Sequence, residues 1–285
     1  MPRLSVIIPT YCRAEILREC LQCLERQTIA KELEVIIVSD GHDEKTAALF
    51  ANSTWRMPVQ FFEIEKNQQG AARNEGINHA TAETILFIGD DIFLHPAACE
   101  LHLSAHHATT ECIAVLGHTT WDPVLDVTPV MKWLETSGWQ FGYPTLDQQL
   151  AERTGPYVPA SMQHRFTYTS HISLSLTEAK NNLFRTDVHL YGWEDIEWGM
   201  RLRDAGVRLY YEPGAKAFHH HPMTLADSLK RMEILGLSAV EIQKKVPGFD
   251  RVPKGWKLFA YKVAAWLPTM AGKHRKSFLR GMAIT

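Results

Sequence analysis

No apolar run in this chain of 285 residues approaches the roughly 20 residues that a membrane-spanning helix needs. The longest, from Leu258 to Leu267, is interrupted by Lys262. The start carries no visible address: Met1 to Ile8 runs straight into a short apolar strand that Pro9 stops, without a basic stretch or a small-residue cleavage site. Neither a membrane span nor a secretion signal is therefore expected. Cysteine is scarce and odd in number, and Cys12, Cys20, Cys23, Cys99 and Cys112 favour reduced thiols in a cytoplasm over a disulfide framework. Cys20 and Cys23 form a C-x-x-C, but both fall on a helical pattern with no second pair to complete a zinc site, so they read as packing residues. Internal repeats and low-complexity tracts are also missing. With 45% hydrophobic residues, disorder is excluded and the chain can bury a full core, as one large domain or one domain with an appendage.

Net charge is small, at -2, but unevenly spread. From Arg251 onward there are eight basic residues and no Asp or Glu, so this stretch carries +8 and the first 250 residues carry -10. The basic residues are interleaved with Trp256, Phe259, Tyr261 and Trp266. Two readings stand: Arg251 to Thr285 rests on an anionic surface such as the inner face of a membrane, or it is a helix whose face at Trp256, Phe259, Val263, Trp266 and Leu267 packs as core. Nucleic acid is not among the expected partners.

The hydrophobic pattern alternates between strand and helix. Leu4 to Ile8, Leu33 to Val38, Val59 to Ile64 and Thr84 to Ile88 are short apolar runs. Glu15 to Gln27 and Gln69 to His79 have helical spacing. This rhythm predicts an α/β fold with a mostly parallel sheet sandwiched by helices, in which ligands sit beyond the carboxyl ends of the strands. Asp40 and Asp91 stand at such ends. Residues 121–161 are irregular and aromatic, which predicts a loop-bearing region with a binding surface of its own, its rings available to stack on a sugar. Beyond it, Phe166 to Leu176 alternates as a strand, Trp193 to Ala205 reads as a helix ended by Gly206, Val207 to Tyr211 and Ala215 to His219 read as strands, and Thr224 to Gln243 as a helix.

Three polar clusters carry the chemistry. Gly89-Asp90-Asp91 follows a buried strand, and two adjacent carboxylates there suit a hard divalent ion that otherwise takes phosphate and water; alone, such a pair is often a solvated turn. Glu194 and Asp195 open a helix, whose N-terminal dipole keeps carboxylates ionised, and an ionised Asp is what a base needs to take a proton from an attacking hydroxyl. Helix capping explains the same acids without function; Trp193 beside them offers a sugar ring an apolar platform. His219-His220-His221 ends a strand, so His219 and His221 share one face and His220 points away. Imidazole suits manganese-like ions. His102, His106 and His107 read as the exposed side of a helix.

Taken in order, Ser5-Val6-Ile7-Ile8-Pro9-Thr10-Tyr11, Glu34 to Gly41, Gly70-Ala71-Ala72-Arg73-Asn74, Gly89-Asp90-Asp91, Gly192-Trp193-Glu194-Asp195-Ile196-Glu197 and the strand from Pro213 to His219 resemble family 2 glycosyltransferases of the GT-A fold. The likeness covers roughly residues 3 to 225. It implies a GT-A domain over 1–225, with a nucleotide-sugar half at 1–120 and an acceptor half at 121–225, followed by a helical basic extension at 226–285. It further implies inverting transfer of a sugar from a nucleotide diphosphate donor, a UDP-sugar in the first instance, to a hydroxyl of a saccharide or lipid-linked glycan, with Mn2+ or Mg2+. By position, Pro9, Thr10, Tyr11 and Arg13 would border the base, Asp40 would hold base or ribose, and Arg73 would lie close to the nucleotide. Asp90 would face ribose or diphosphate, and Asp91 would bind the metal with His219 or His221. Asp195 would be the base, and Glu194 with Trp193 would hold the acceptor. The chain departs from the family pattern at Cys12, where Asn is usual, at Gly89, which shortens the usual D-x-D, and at His171, where Asn is expected.

Two other classes compete. A sugar nucleotidyltransferase would need a Gly-rich, basic loop after the first strand, which Pro9-Thr10-Tyr11-Cys12-Arg13 is not. A non-catalytic carbohydrate-binding or scaffold protein on a degenerate transferase fold would use many of the same residues.

Overall fold

The computed structural model describes residues 1–51, 53–152, 155–187 and 192–283. Its centre is an eight-stranded sheet formed by β1 (Leu4–Thr10), β2 (Leu33–Asp40), β3 (Val59–Ile64), β4 (Thr84–Ile88), β5 (Ile92–Leu94), β6 (Ile113–Trp121), β7 (His171–Ser175) and β8 (Arg208–His219). The spatial order is β3-β2-β1-β4-β7-β6-β8-β5. Only β7 and β5 run against the other strands, so the expectation of a mostly parallel sheet holds. Every residue of β1 is buried, which is why it reads as a continuous apolar run rather than an alternating one. Pro9 is tolerated in this interior strand because pairing with β4 stops at Ile7.

Eleven α-helices flank the sheet among the described residues. On one face Leu4, Val6, Ile8, Val35 and Ile37 meet α1 (Ala14–Glu25) through Leu17, Cys20, Leu21 and Leu24. On the other, Ile7, Ile36, Phe87 and Ile172 meet α3 (Gln69–His79) and α8 (Glu194–Asp204), with Trp198 and Leu202 fully packed. Successive strand residues thus feed opposite cores, as the pleat requires. The helix α2 (Glu44–Ala51) packs on the edge strand β3 through Phe50 and Phe61, and α4 (Ala98–His107) lies behind β7.

Several expectations need correction. The strand predicted from Phe166 begins only at His171, because residues 163–165 form a 3₁₀ turn and the Thr167 hydroxyl is held by the His164 and Asp195 carbonyls. The two strands predicted over 207–219 are one, β8, whose register against β6 shifts between Gly117 and His118. Its short antiparallel partner β5 was not expected at all. Of the histidines of α4 only His107 faces solvent: His102 is fully buried, and the Ser173 hydroxyl lies 2.8 Å from its Nδ1 and 2.9 Å from Nε2 of the half-buried His106.

The residues between β6 and β7 form α5 (Pro129–Ser137) and α6 (Tyr143–Glu152), with the short helix α7 (Leu176–Asn181) after β7. A long helix α9 (Leu225–Lys245), capped by a reciprocal Thr224–Asp227 pair, is followed by α10 (Gly255–Ala264) and α11 (Met270–Ala283). These are not a loose appendage. Ala239, Ile242, Phe249 and Phe278 share a core cluster with Ile196, and Trp193 and Met200 pack against it, which ties the C-terminal helices to α8.

Candidate active site

The carboxyl ends of β1, β2 and β4 open on one side of the sheet. The first turn after β1 is set by Cys12, which takes a left-handed φ of 54° while its N–H donates to Asp43 Oδ2 at 2.6 Å. That turn swings Arg13 back over the end of β4, where its guanidinium donates to Asp90 at 2.7 Å and to Asp91 at 2.9 Å. Thr10 donates to the other Asp90 oxygen at 2.8 Å. Tyr11 is exposed, with Lys66 Nζ 3.2 Å from its ring centroid. Asp40 accepts from the Asn67 N–H at 2.7 Å, tying the end of β2 to the loop after β3. Thr10, Tyr11, Arg13, Asp40 and Asp90 therefore gather beyond the carboxyl ends of β1, β2 and β4, while Pro9 is buried within β1. Asp43 and Lys66 join them; nothing in the sequence pattern marked either one.

Beyond β4 the pairing of Ile92 with His219 across β5 and β8 fixes the next group. His220 N–H donates to the Asp91 carbonyl at 2.8 Å, and the flanking side chains turn inward. Asp91 Oδ2 lies 3.5 Å from His219 Nε2 and 3.3 Å from His221 Nδ1. His220 points away, to Asp122 at 2.7 Å, as alternation requires. Ligand atoms of Asp91, His219 and His221 all fall within 4.8 Å of one another. Burial works against the Asp91 carboxylate, but hydrogen bonds from both histidines and the Arg13 charge hold it well below the usual carboxylate range. Asp90 is pushed up to about 6 by burial and by the Asp91 charge. Two imidazole nitrogens and one ionised carboxylate form a donor set that fits a manganese-type ion.

The second carboxylate group is aimed by an unusual turn. Gly192 and Trp193 both have positive φ, 83° and 72°, and α8 starts directly after them. Glu194 and Asp195 stand in its first turn. Asp195 is only partly exposed; burial first, and the Glu194 charge second, raise its pKa to about 7. Arg73 and Arg231 oppose that rise. Arg73 is almost fully buried, and its Nε and Nη1 find no hydrogen-bond partner among the described residues. Arg231, from α9, was outside the sequence reading. Trp193 itself is occupied: its indole N–H donates to the Leu235 carbonyl at 3.0 Å and its ring meets Phe249 edge-on at 5.7 Å.

An aromatic wall joins the two groups. His219 lies 6.1 Å from Phe141, Phe141 lies 4.9 Å from Tyr168, and burial, opposed by a bond from the Gly142 N–H and reinforced by the Asp195 charge, raises the Tyr168 hydroxyl. Beside this wall is a cavity of about 250 Å³ whose lining includes His118, Trp121, Glu135, Phe141, Asp147 and His219. His171 sits fully buried under it, and a Cβ at Gly117 would fall 2.2 Å from its ring.

A mixed sheet between helices, with acidic and histidine groups at the carboxyl ends of its strands, is the GT-A architecture of glycosyltransferases. Residues 5–164 match the model of glycosyl transferase family 2, and the chain belongs to that family. It is 28% identical over 224 residues to validoxylamine A glucosyltransferase of Streptomyces hygroscopicus subsp. jinggangensis, covering 73% of this chain and 53% of that protein. It is 26% identical over 223 residues to the glycosyltransferase AglE of Haloferax volcanii, covering 74% and 64%. The chain thus spans about half the length of the first of these relatives. Among solved structures, the mannosyltransferase PcManGT of Pyrobaculum calidifontis, in complex with GDP-Man and Mn2+, superposes with a TM-score of 0.60 at 18% identity, over 100% of this chain and 76% of that one. TarS of S. aureus in complex with UDP-GlcNAc superposes at 0.58 and 20% identity, over 85% and 67%. At these identities the structures speak for the fold alone.

Proposed function

We propose that this protein transfers a hexosyl-type sugar from a nucleoside diphosphate donor, a UDP-sugar in the first instance, to a hydroxyl of a saccharide or lipid-linked glycan, with inversion. The observation that carries the reading is the pairing of a ready-made ligand set, Asp91 with His219 and His221, with a buried-side carboxylate of pKa about 7 at Asp195. Tyr11, Asp40 and Lys66 receive base and ribose, with Pro9 and Thr10 forming the floor. Arg13 and Asp90 border the diphosphate, and the buried Arg73, whose nearest charges are Glu194 and Asp195, adds positive charge beside them. Asp91, His219 and His221 would hold Mn2+ or Mg2+, whose positive charge neutralises the departing diphosphate. Imidazole ligands favour manganese of the two.

Asp195 takes the proton of the acceptor hydroxyl as its oxygen forms a bond to the anomeric carbon and the bond from that carbon to the diphosphate breaks. One displacement inverts the centre and needs no covalent enzyme intermediate. Glu194 holds neighbouring acceptor hydroxyls. The cavity lined by Trp121, Phe141 and Tyr143, with Glu135 and Asp147 among its polar groups, suits the acceptor: apolar faces for a ring and a few hydrogen-bonding edges. Trp193 supports this site from behind. All five cysteines are free thiols, and Cys20 and Cys99 are buried, which fits a reducing, cytoplasmic setting.

Incubating the protein with a panel of UDP- and GDP-sugars and Mn2+, and measuring nucleotide diphosphate release with and without candidate acceptors, tests the reading. Metal-dependent release that disappears in Asp195→Asn supports it. Equal, slow release by both proteins would show that Asp195 is not the base and favour a binding protein on a transferase fold.

A further inference from the structure

We infer that α10 and the turn after it seat the protein on an anionic phospholipid bilayer. Trp256, Phe259 and Val263 recur at three- and four-residue steps of α10 and so share one face, and Trp266 and Leu267 follow in the turn after it. Their exposures are 76, 71, 55, 87 and 54%, so this face is not the packed core that periodicity alone allowed. The opposite face is already taken. Tyr261 meets Phe278 edge-on at 6.0 Å, and the Arg275 guanidinium lies 5.6 Å from the Tyr261 ring. The helix beneath is in turn fixed: a Cβ at Gly236 would come within 2.1 Å of the Phe278 carbonyl oxygen, and one at Gly281 within 1.9 Å of that of Glu233. The backbones of α9 and α11 therefore touch, and α10 is held with its aromatic face outward.

Charge selects the occupant. Lys254, Lys257 and Lys262 are exposed around this face, and 251–285 contain no carboxylate. The ion pairs of this stretch go to Arg251 and Arg280, leaving the three lysines without a carboxylate partner among the described residues. A surface meant for another protein copy is depleted of lysine relative to the rest of the surface, whereas this one is ringed by it. Tryptophan interleaved with lysine is instead the composition of an interfacial helix on anionic lipid. No helix among the described residues is long and apolar enough to cross a membrane, so the seat lies in the headgroup layer.

The test is independent of the transfer reaction. The full chain is sedimented with phosphatidylcholine vesicles, with and without phosphatidylglycerol. Binding is expected only with phosphatidylglycerol, with a blue shift of tryptophan emission and loss at high salt. W256A/F259A/W266A should lower partitioning at least about tenfold, since each ring contributes apolar burial. K254A/K257A/K262A should lower it about a hundredfold, about fivefold for each lysine. The melting temperature of both variants should match wild type, because the altered side chains are exposed; if the aromatic variant misfolds, the lysine variant and the emission shift decide. Failure of the wild type to bind phosphatidylglycerol vesicles would overturn the inference. So would binding that neither triple variant weakens, or a lipid-free dimer that the aromatic variant converts to monomer.

Discussion

Asp91 and His221 are 130 positions apart in the chain, yet Oδ2 of one lies 3.3 Å from Nδ1 of the other. The three-residue strand β5 brings them together by pairing Ile92 with His219. A ligand set assembled by the sheet ladder is rigid, so its metal affinity should respond to single side chains. Mn2+ should raise the melting temperature through binding linkage, and chelation should abolish both the shift and transfer. His219→Ala and His221→Ala should each weaken the Mn2+-dependent shift by on the order of tenfold in apparent affinity. His220→Ala, which loses its contacts with Asp122 and the Phe93 ring but none with the ligand set, should change it little. A full shift in the His219→Ala, His221→Ala double variant would remove the histidines from the site.

Asp195 couples activity to stability with a definite sign. Its folded pKa of about 7 lies above the ordinary carboxylate value because of burial and the Glu194 charge. The fold therefore bears a penalty that appears as pH rises from about 4 and is complete above about 7. Asp195→Asn should be more stable than wild type at pH 8, by on the order of 2 kcal/mol after allowance for its partial exposure. The difference should vanish near pH 4. The same change should slow transfer by on the order of a thousandfold, and wild-type turnover should climb with pH through about 7. Thermal melts at two pH values and a pH–rate profile check both halves.

The strands β1, β2 and β4 were legible because burial on both sides turns them into continuous apolar runs, and Asp91 and Asp195 because each sits where a strand or helix changes direction. The rest depended on distance in the chain. β5 is too short to carry a period and exists only because β8 returns beside it. His102 reads as polar on a helix, and its partner Ser173 is 71 residues away. Arg231 has no local signature; its relation to Asp195 arises only when α9 folds back.

Cys12 explains one departure from the family pattern. Its φ of 54° is in the left-handed region, where Asn is tolerated far better than other side chains that carry a Cβ. Cys12→Asn should therefore stabilise the fold, by about 0.5 to 1 kcal/mol, with Cys12→Val destabilising it. Urea denaturation measures both. A loss of stability in the Asn variant would mean that the thiol contributes something beyond the turn.

Buried histidines make the protein sensitive to acid. Burial keeps His102 well below its ordinary value and lowers His106 to about 4 and His171 to about 3. These groups are neutral in the fold. Below about pH 6.5 the unfolded chain binds protons that the fold refuses, so each group removes about 1.4 kcal/mol per pH unit until its folded pKa is reached. Melting temperature should be insensitive to these groups above pH 7 and fall steeply between about 6.5 and 4. His171→Asn, which puts the family's residue beneath the cavity, should shallow that slope. An unchanged slope in this variant would mean that His171 takes up its proton without unfolding.

Trp193 is a bulky side chain held at φ 72° immediately before Glu194 and Asp195. Such a conformation costs on the order of 1 to 3 kcal/mol and survives only when surrounding contacts enforce it. Here the enforcement is the indole bond to the Leu235 carbonyl and the edge contact with Phe249. The C-terminal helices therefore hold the turn that carries Asp195 through Trp193, which under the proposed reaction makes Trp193 a positioning residue. Trp193→Phe keeps a ring but loses the bond, and it should lower kcat by about tenfold while leaving KM for the donor unchanged, since the residues proposed to hold the donor lie at the ends of β1, β2 and β4. Trp193→Gly relieves the strain and loses both contacts; it should lower kcat further and shift the pH–rate midpoint away from about 7 as Asp195 loses its buried setting. A variant that raised only the acceptor KM would instead place the ring against the acceptor sugar.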